Sequence, residues 1–136
     1  MTRAALEYRW YIAGLRIFGN IQDFETITQK LGLSPDHTHR RGERRTRSAQ
    51  PYRHDAWQIK ACVPRERELK HHLLWIYRRL HKKTAALRVL AQQHDVDLYC
   101  SYQSDYDQGQ LEFPPEILAW CGRIGIPLHV SISVQD

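Results

Sequence analysis

Residues 8–19, YRWYIAGLRIFG, decide what the rest of the chain has to build. Aromatic and β-branched residues alternate with others on both sides of Ala13 and Gly14, which is the period of an extended strand. A glycine inside such a pattern marks a bulge or a close approach by another backbone, so Gly14 is read as one or the other. This segment is the first strand, and the segments after it are read as the strands that join it and the helices that cover it.

Next comes DFETITQKLG (23–32), in which Asp23 suits a helix N-cap, Phe24, Ile27 and Leu31 recur at helical spacing, and Gly32 with Pro35 beyond it ends the turn. DAWQIKACV (55–63) alternates Trp57, Ile59, Ala61 and Val63 against Gln58, Lys60 and Cys62, a strand with one buried face. RERELKHHLLWIYRRLHKK (65–83) sets Leu69, Leu73, Ile76 and Leu80 in one helical stripe, and Thr84 is read as the N-cap of a further helix, AALRVLAQQH (85–94). VDLYCSY (96–102) is a strand with Val96, Leu98, Cys100 and Tyr102 inward, which turns Tyr99 outward. PPEILAWCGRIG (114–125) is a helix opened by prolines, and PLHVSISV (127–134) is a last strand with Leu128, Val130, Ile132 and Val134 on one face.

The order β-α-β-α-α-β-α-β predicts a two-layer α+β domain: a mainly antiparallel four-stranded sheet with the helices packed on one face and the other face left to water or a partner. The chain, residues 1–136, is read as a single domain. KLGLSP (30–35) and RIGIPL (123–128) follow the first and last of these helices in the same manner, a weak internal duplication. After the second, a strand follows at once; after the first, a basic stretch at about 36–55 intervenes and is read as a loop insertion.

That stretch holds the charge of the molecule. The net charge is +5. Residues 37–54 carry Arg40, Arg41, Arg44, Arg45, Arg47 and Arg53 against Glu43 alone, which leaves fourteen basic and fourteen acidic side chains in the remainder. Concentrated charge of one sign draws an anionic partner, and arginine suits carboxylates and phosphates because its planar fork pairs with either through two hydrogen bonds. The plain alternative is a solvated turn kept pliable by Gly42 and Ser48, with Glu43 making an internal salt bridge. On the long helix, His71, Trp75, Arg78, Arg79 and Lys82 fall on the side away from the leucine stripe. An indole among cations can anchor an acidic protein or stack on a base; the alternative, which carries more weight, is that Trp75 packs under a neighbouring helix.

Other chemistry finds little support in the sequence. HTH (37–39) and HH (71–72) lack the spacing of a metal site, and no cofactor fingerprint, phosphate loop or nucleophile elbow occurs. Asp105 and Asp107 in SDYDQGQ (104–110) would need a histidine beside them to act as acid or base, and an acidic glycine-containing loop is more often a solvated turn. An outward sheet face can stack nucleic-acid bases, but the aromatic and basic signature of that mode is missing from adjacent strands. Cys62, Cys100 and Cys121 are odd in number and set among apolar residues, so all three are read as small buried hydrophobes in a reducing, cytoplasmic setting. The N-terminal MTRAALEYRWYIAGLRIF lacks the unbroken apolar run of a signal peptide or membrane span.

Taken together, RRGER (40–44), DAWQIK (55–60), HHLLWIYRRL (71–80), VDLYCSY (96–102) and GQLEFPPEILAWCGRIGIPLHVSISV (109–134) resemble a family of small bacterial proteins catalogued as a domain of unknown function. The resemblance spans nearly the whole chain and is strongest at the C-terminal block. It implies a compact cytoplasmic α+β domain without catalytic residues to carry over. Because similar domains often accompany toxin genes, it also implies a role as an immunity or other protein-binding module. The arginine run is longer here than the basic turn of that family. The expectation is therefore a non-enzymatic protein, with no cofactor or metal, that meets an acidic protein, a toxin in the immunity case, through Arg40, Arg41, Arg44, Arg45, Arg47 and Arg53. Tyr52 and Trp75 would serve as apolar anchors, with Arg78 and Arg79 beside them. The alternative is a nucleic-acid binder using the same loop and the basic aromatic helix face.

Overall fold

A computed structural model of the chain describes residues 8–106 and 108–135. The strands are β1 (Arg9–Gly19), β2 (His37–His39), β3 (Asp55–Lys60), β4 (Asp95–Ser104) and β5 (Leu128–Val134); the helices are α1 (Phe24–Leu31), α2 (Leu69–Leu80), α3 (Thr84–Gln93) and α4 (Pro115–Ile124). The strands form one sheet in the order β2-β3-β1-β4-β5. The YRWYIAGLRIFG segment supplies the middle strand, antiparallel to β3 on one side and to β4 on the other.

The α+β class holds and the sheet is mainly antiparallel, while its expected four strands are five and one edge pairing is parallel. His37–His39, read as the start of the basic insertion, pairs antiparallel with Gln58, Trp57 and Ala56 and adds a fifth strand. At the other edge β5 runs parallel to β4, because the chain returns through the α4 crossover and re-enters the sheet in the direction it left. A strand thus follows both Gly-containing turns, β2 after Gly32 and β5 after Gly125, and both glycines adopt the left-handed conformation, with φ of 71° and 84°.

One apolar side of each of the three inner strands meets the helices. Tyr11, Ala13, Leu15 and Ile17 of β1, Trp57 and Ile59 of β3 and Val96, Leu98, Cys100 and Tyr102 of β4 form one core with Leu69, Leu73, Ile76 and Leu80 of α2, Leu87 and Leu90 of α3, and Ile117 and Trp120 of α4. Both fully buried indoles have their N–H satisfied by a helix threonine: Trp57 Nε1 donates to Thr28 Oγ1 (3.1 Å) and Trp120 Nε1 to Thr84 Oγ1 (3.0 Å). Asp23 caps α1 as its sequence promised, accepting from the Glu25 N–H at 3.0 Å. Thr84 is the first residue of α3 rather than its cap. Gly14 sits in unbroken register between Lys60 and Tyr99, so it marks a close approach and no bulge; a Cβ there would lie 2.5 Å from the Ile59 carbonyl oxygen.

Two expectations about burial fail. Val130, Ile132 and Val134 share the side of the sheet that bears Cys100 and Tyr102, yet they are 37%, 63% and 48% exposed. The covering helices α2 and α3 pack over β1 and β4, and the last strand extends past them. Cys62, expected in the core, lies just after β3 and is exposed, whereas Cys100 and Cys121 are buried.

Candidate functional site

Residues 40–54 join β2 to β3, and their geometry begins at Asp55, the first residue of β3. Its buried carboxylate accepts the backbone N–H of Arg41 (2.8 Å) and of Ile21 (2.9 Å) and a guanidinium N–H of Arg40 (3.3 Å). These partners, the Arg41 N–H foremost, hold the Asp55 carboxyl below its ordinary pKa although burial pushes the other way. Arg40 also donates to the carbonyls of Ile21 and Gln22 and lies 4.0 Å over the Phe24 ring. That arginine is spent on fastening the loop to the β1–α1 turn.

Above this root the two arms continue as a ladder. The Gly42 N–H donates to the Tyr52 carbonyl (2.9 Å) and the Tyr52 N–H to the Glu43 carbonyl (2.8 Å), with Gly42 at a φ of 91° that favours glycine. The Tyr52 ring stacks on His39 at 3.5 Å and 6°, and His39 shares a 2.9 Å hydrogen bond with His37. Burial, and then the neighbouring His37, lower the pKa of His39. Tyr52, expected as an anchor for a partner, is half-buried as part of this root. Glu43 shapes the loop through its backbone; among the described residues its carboxylate makes no ion pair.

Beyond the root the arginines are surface groups. Arg41, Arg44, Arg45, Arg47 and Arg53 are exposed, and among the described residues none of the five is in an ion pair. Arg44 donates to the Arg47 carbonyl (3.3 Å), which rounds the tip. The other half of the expected site lies elsewhere, on α2. Trp75 is half-buried against the core, with the Arg79 guanidinium 3.7 Å over its ring, and Arg78 and Arg79 are exposed. No hydrogen bond, ion pair or ring contact among the described residues links this helix face to the arginine loop.

The face of the sheet away from the helices carries a cluster that sequence reasoning passed over. Arg16 and Asp97 are direct partners in the β1–β4 ladder. The guanidinium donates to both carboxylate oxygens (2.9 and 2.5 Å), and His129 Nδ1 lies 2.6 Å from one of them. Arg16 is flanked by the Tyr99 ring at 4.1 Å and the Phe18 ring at 5.1 Å, and the hydrogen bond to Asp97 raises its pKa. A cavity of about 390 Å³ lined by Phe18, His94, Asp95, Asp97 and His129 opens beside the cluster. The sequence signal was an arginine and an aspartate at outward positions of two strands, which becomes a pair only once the register is known.

Asp105 accepts the Tyr8 N–H at 2.9 Å and is buried; Asp107 lies outside the described residues. Burial pushes the Cys100 thiol up to about 12 and Cys121 to about 11, so neither is a ready nucleophile. His72 is buried with Nε2 3.1 Å from the Arg67 carbonyl, and burial lowers its pKa. Among the described residues no three His, Cys, Asp or Glu side chains gather as a metal site would require, and no helix is long and apolar enough to cross a membrane.

Fold and surface together define a small α+β domain built on a mixed sheet, with an arginine-bearing hairpin at one edge. The chain belongs to the family described as Domain of unknown function (DUF4279), whose model matches residues 7–135. No curated protein and no solved structure matches it.

Proposed function

We propose that this protein is a non-enzymatic binding module whose arginine hairpin engages an acidic surface on another protein. The observation that carries this reading is the division of labour within the hairpin. Arg40 roots it on Asp55, Ile21 and Phe24, while Arg41, Arg44, Arg45, Arg47 and Arg53 stand exposed and, among the described residues, without a counter-ion. An ordered root beneath unpaired guanidinium groups lowers the conformational cost of docking and leaves their donors for a partner's carboxylates. Such charge steers encounter and selects the partner more than it adds raw affinity. Trp75, Arg78 and Arg79 form a second contact surface on α2. An immunity protein that blocks a toxin is the particular form of this module that fits a small domain with an arginine-rich binding loop, and a reducing cytoplasm suits its free thiols.

Replacing Arg44, Arg45, Arg47 and Arg53 together by Ala abolishes partner binding while the circular-dichroism spectrum and the melting temperature stay unchanged. Unaltered affinity in that variant contradicts the proposal. The alternative, nucleic-acid binding through the same arginines, is favoured only by their suitability for phosphate. It requires an oligonucleotide affinity that falls steeply with salt, and a flat salt response removes it.

A further inference from the structure

Among the described residues no strand pairs with the outer edge of β5, which offers backbone groups and apolar side chains from the same residues. In the parallel ladder the Leu98 N–H donates to the Pro127 carbonyl (3.1 Å) and the Gln135 N–H to the Ser104 carbonyl (2.9 Å). The odd-numbered residues of this segment therefore turn their backbone polar groups to β4, and Leu128, Val130, Ile132 and Val134 turn theirs outward. These four also carry the strand's apolar side chains, and Ile132 is 63% exposed. Exposed sheet edges are normally blunted by charge, proline or shortness. The β2 edge follows that rule, being three residues long and running straight into Arg40. β5 (LHVSISV) is seven residues long, with no Lys, Arg, Asp, Glu or proline.

We infer that β5 is a self-association edge, where two copies of this chain pair their β5 strands antiparallel about a two-fold axis at Ser131 and join their sheets into one. The geometry is self-consistent. An axis at the centre of the strand sets Val130 opposite Ile132 of the second copy and Leu128 opposite its Val134, so the residues with outward backbone groups meet one another as hydrogen-bonded pairs. All the apolar side chains then fall on one side as cross-strand pairs. Charge favours a second copy over an acidic protein as the occupant. β5 carries no Lys or Arg for an acidic partner, and its His129 is engaged with Asp97, whereas the arginine hairpin lies at the opposite edge of the sheet. A two-fold join at β5 therefore keeps the two basic hairpins at the far ends, where their repulsion is least. Two short strands with three half-exposed side chains per copy bury less than the ~1,200 Å² of a standard interface. The dimer is accordingly reversible. It would present two arginine hairpins on one rigid sheet, a consequence that stands whatever the hairpin binds.

The test uses the full chain carrying Cys62→Ser, which removes the exposed thiol. Ser131→Cys places two thiols across the axis in a non-hydrogen-bonded pair, where Cα atoms lie ~4.5 Å apart and a disulfide is allowed. Mild oxidation yields a covalent dimer from Ser131→Cys and little from Ser133→Cys, whose facing residue would be His129. Sedimentation of the unmodified protein shows a concentration-dependent dimer, and Ile132→Lys raises its apparent Kd at least about tenfold with an unchanged circular-dichroism spectrum. A monomer at every concentration up to hundreds of micromolar overturns the inference, as does a dimer indifferent to Ile132→Lys or equal cross-linking at both cysteine positions.

Discussion

Arg16 and Asp97 face each other directly across the β1–β4 ladder, and the guanidinium grips the carboxylate through both of its oxygens. The pair ties the two longest strands together on the side that no helix stripe covers. Asp97 is almost fully buried and Arg16 keeps about a quarter of its side chain in solvent, at 8% and 27% exposure. Removing one partner leaves the other poorly solvated.

Asp97→Ala is therefore expected to lower stability by about 1–3 kcal/mol, reduced from the fully buried case by the exposure of Arg16. Arg16→Met combined with Asp97→Ala recovers part of that loss, and a double-mutant cycle on urea midpoints measures the coupling. A double variant whose loss equals the sum of the Arg16→Met and Asp97→Ala losses would show that the pair is not coupled.

Gly14 of β1 has no room for a Cβ beside the Ile59 carbonyl of β3. Gly14→Ala should cost about 1–3 kcal/mol through strand displacement, despite its higher intrinsic strand compatibility. Gly122 on α4 has open space around it, so Gly122→Ala should be neutral or stabilising. Thermal melts of the two variants check the contrast.

The six loop arginines separate into one structural and five surface residues. Arg40→Ala removes hydrogen bonds to Asp55, Ile21 and Gln22 and the stack on Phe24, and is expected to destabilise the chain by about 1–2 kcal/mol. Arg45→Ala and Arg47→Ala should stay within about 0.5 kcal/mol of the parent. Hydrogen exchange at the Gly42 and Tyr52 amides, which close the hairpin, should quicken in the first variant only.

Stability should fall on mild acidification. His39 and His72 both have pKa values lowered in the folded state, chiefly by burial. The unfolded chain binds protons more readily, so the contribution of these residues is fully present above the unfolded histidine pKa of about 6.5 and declines as pH drops through it. Asp55 acts in a lower window. Its depressed folded pKa gives stability that is present above the unfolded aspartate pKa of about 3.9 and lost as pH drops through the folded value. Urea midpoints between pH 8 and pH 5 should decrease, and His39→Gln should flatten part of the slope. A midpoint independent of pH in that interval contradicts this.

Local periodicity in the sequence was enough for the helices and for the inner strands, because the 3.6 and 2.0 residue repeats are properties of each segment alone. Asp23, Gly32 and the prolines that open α4 mark their helix ends in the same local way. What stayed hidden depends on where segments lie relative to one another. The three residues of β2 have no periodicity to read, and the parallel direction of β5 is set by the α4 crossover. The exposure of Val130, Ile132 and Val134 follows from where the helices stop, which no strand pattern records. At the site, Arg40 and Arg45 are the same residue in the same run, and only the nearness of Asp55, Ile21 and Phe24 tells them apart. Arg16, Asp97 and His129 come from three separate strands and meet only through register.

The arginine hairpin's role is tested most directly by comparative capture. The protein and its Arg44, Arg45, Arg47 and Arg53→Ala variant are each recovered from their native host at moderate salt, treated with nuclease, and compared by quantitative mass spectrometry. The proposal predicts one acidic protein, in stoichiometric amount and resistant to nuclease, with the parent and absent from the variant. Bound material that disappears with nuclease, or an acidic protein retained equally by the variant, contradicts it.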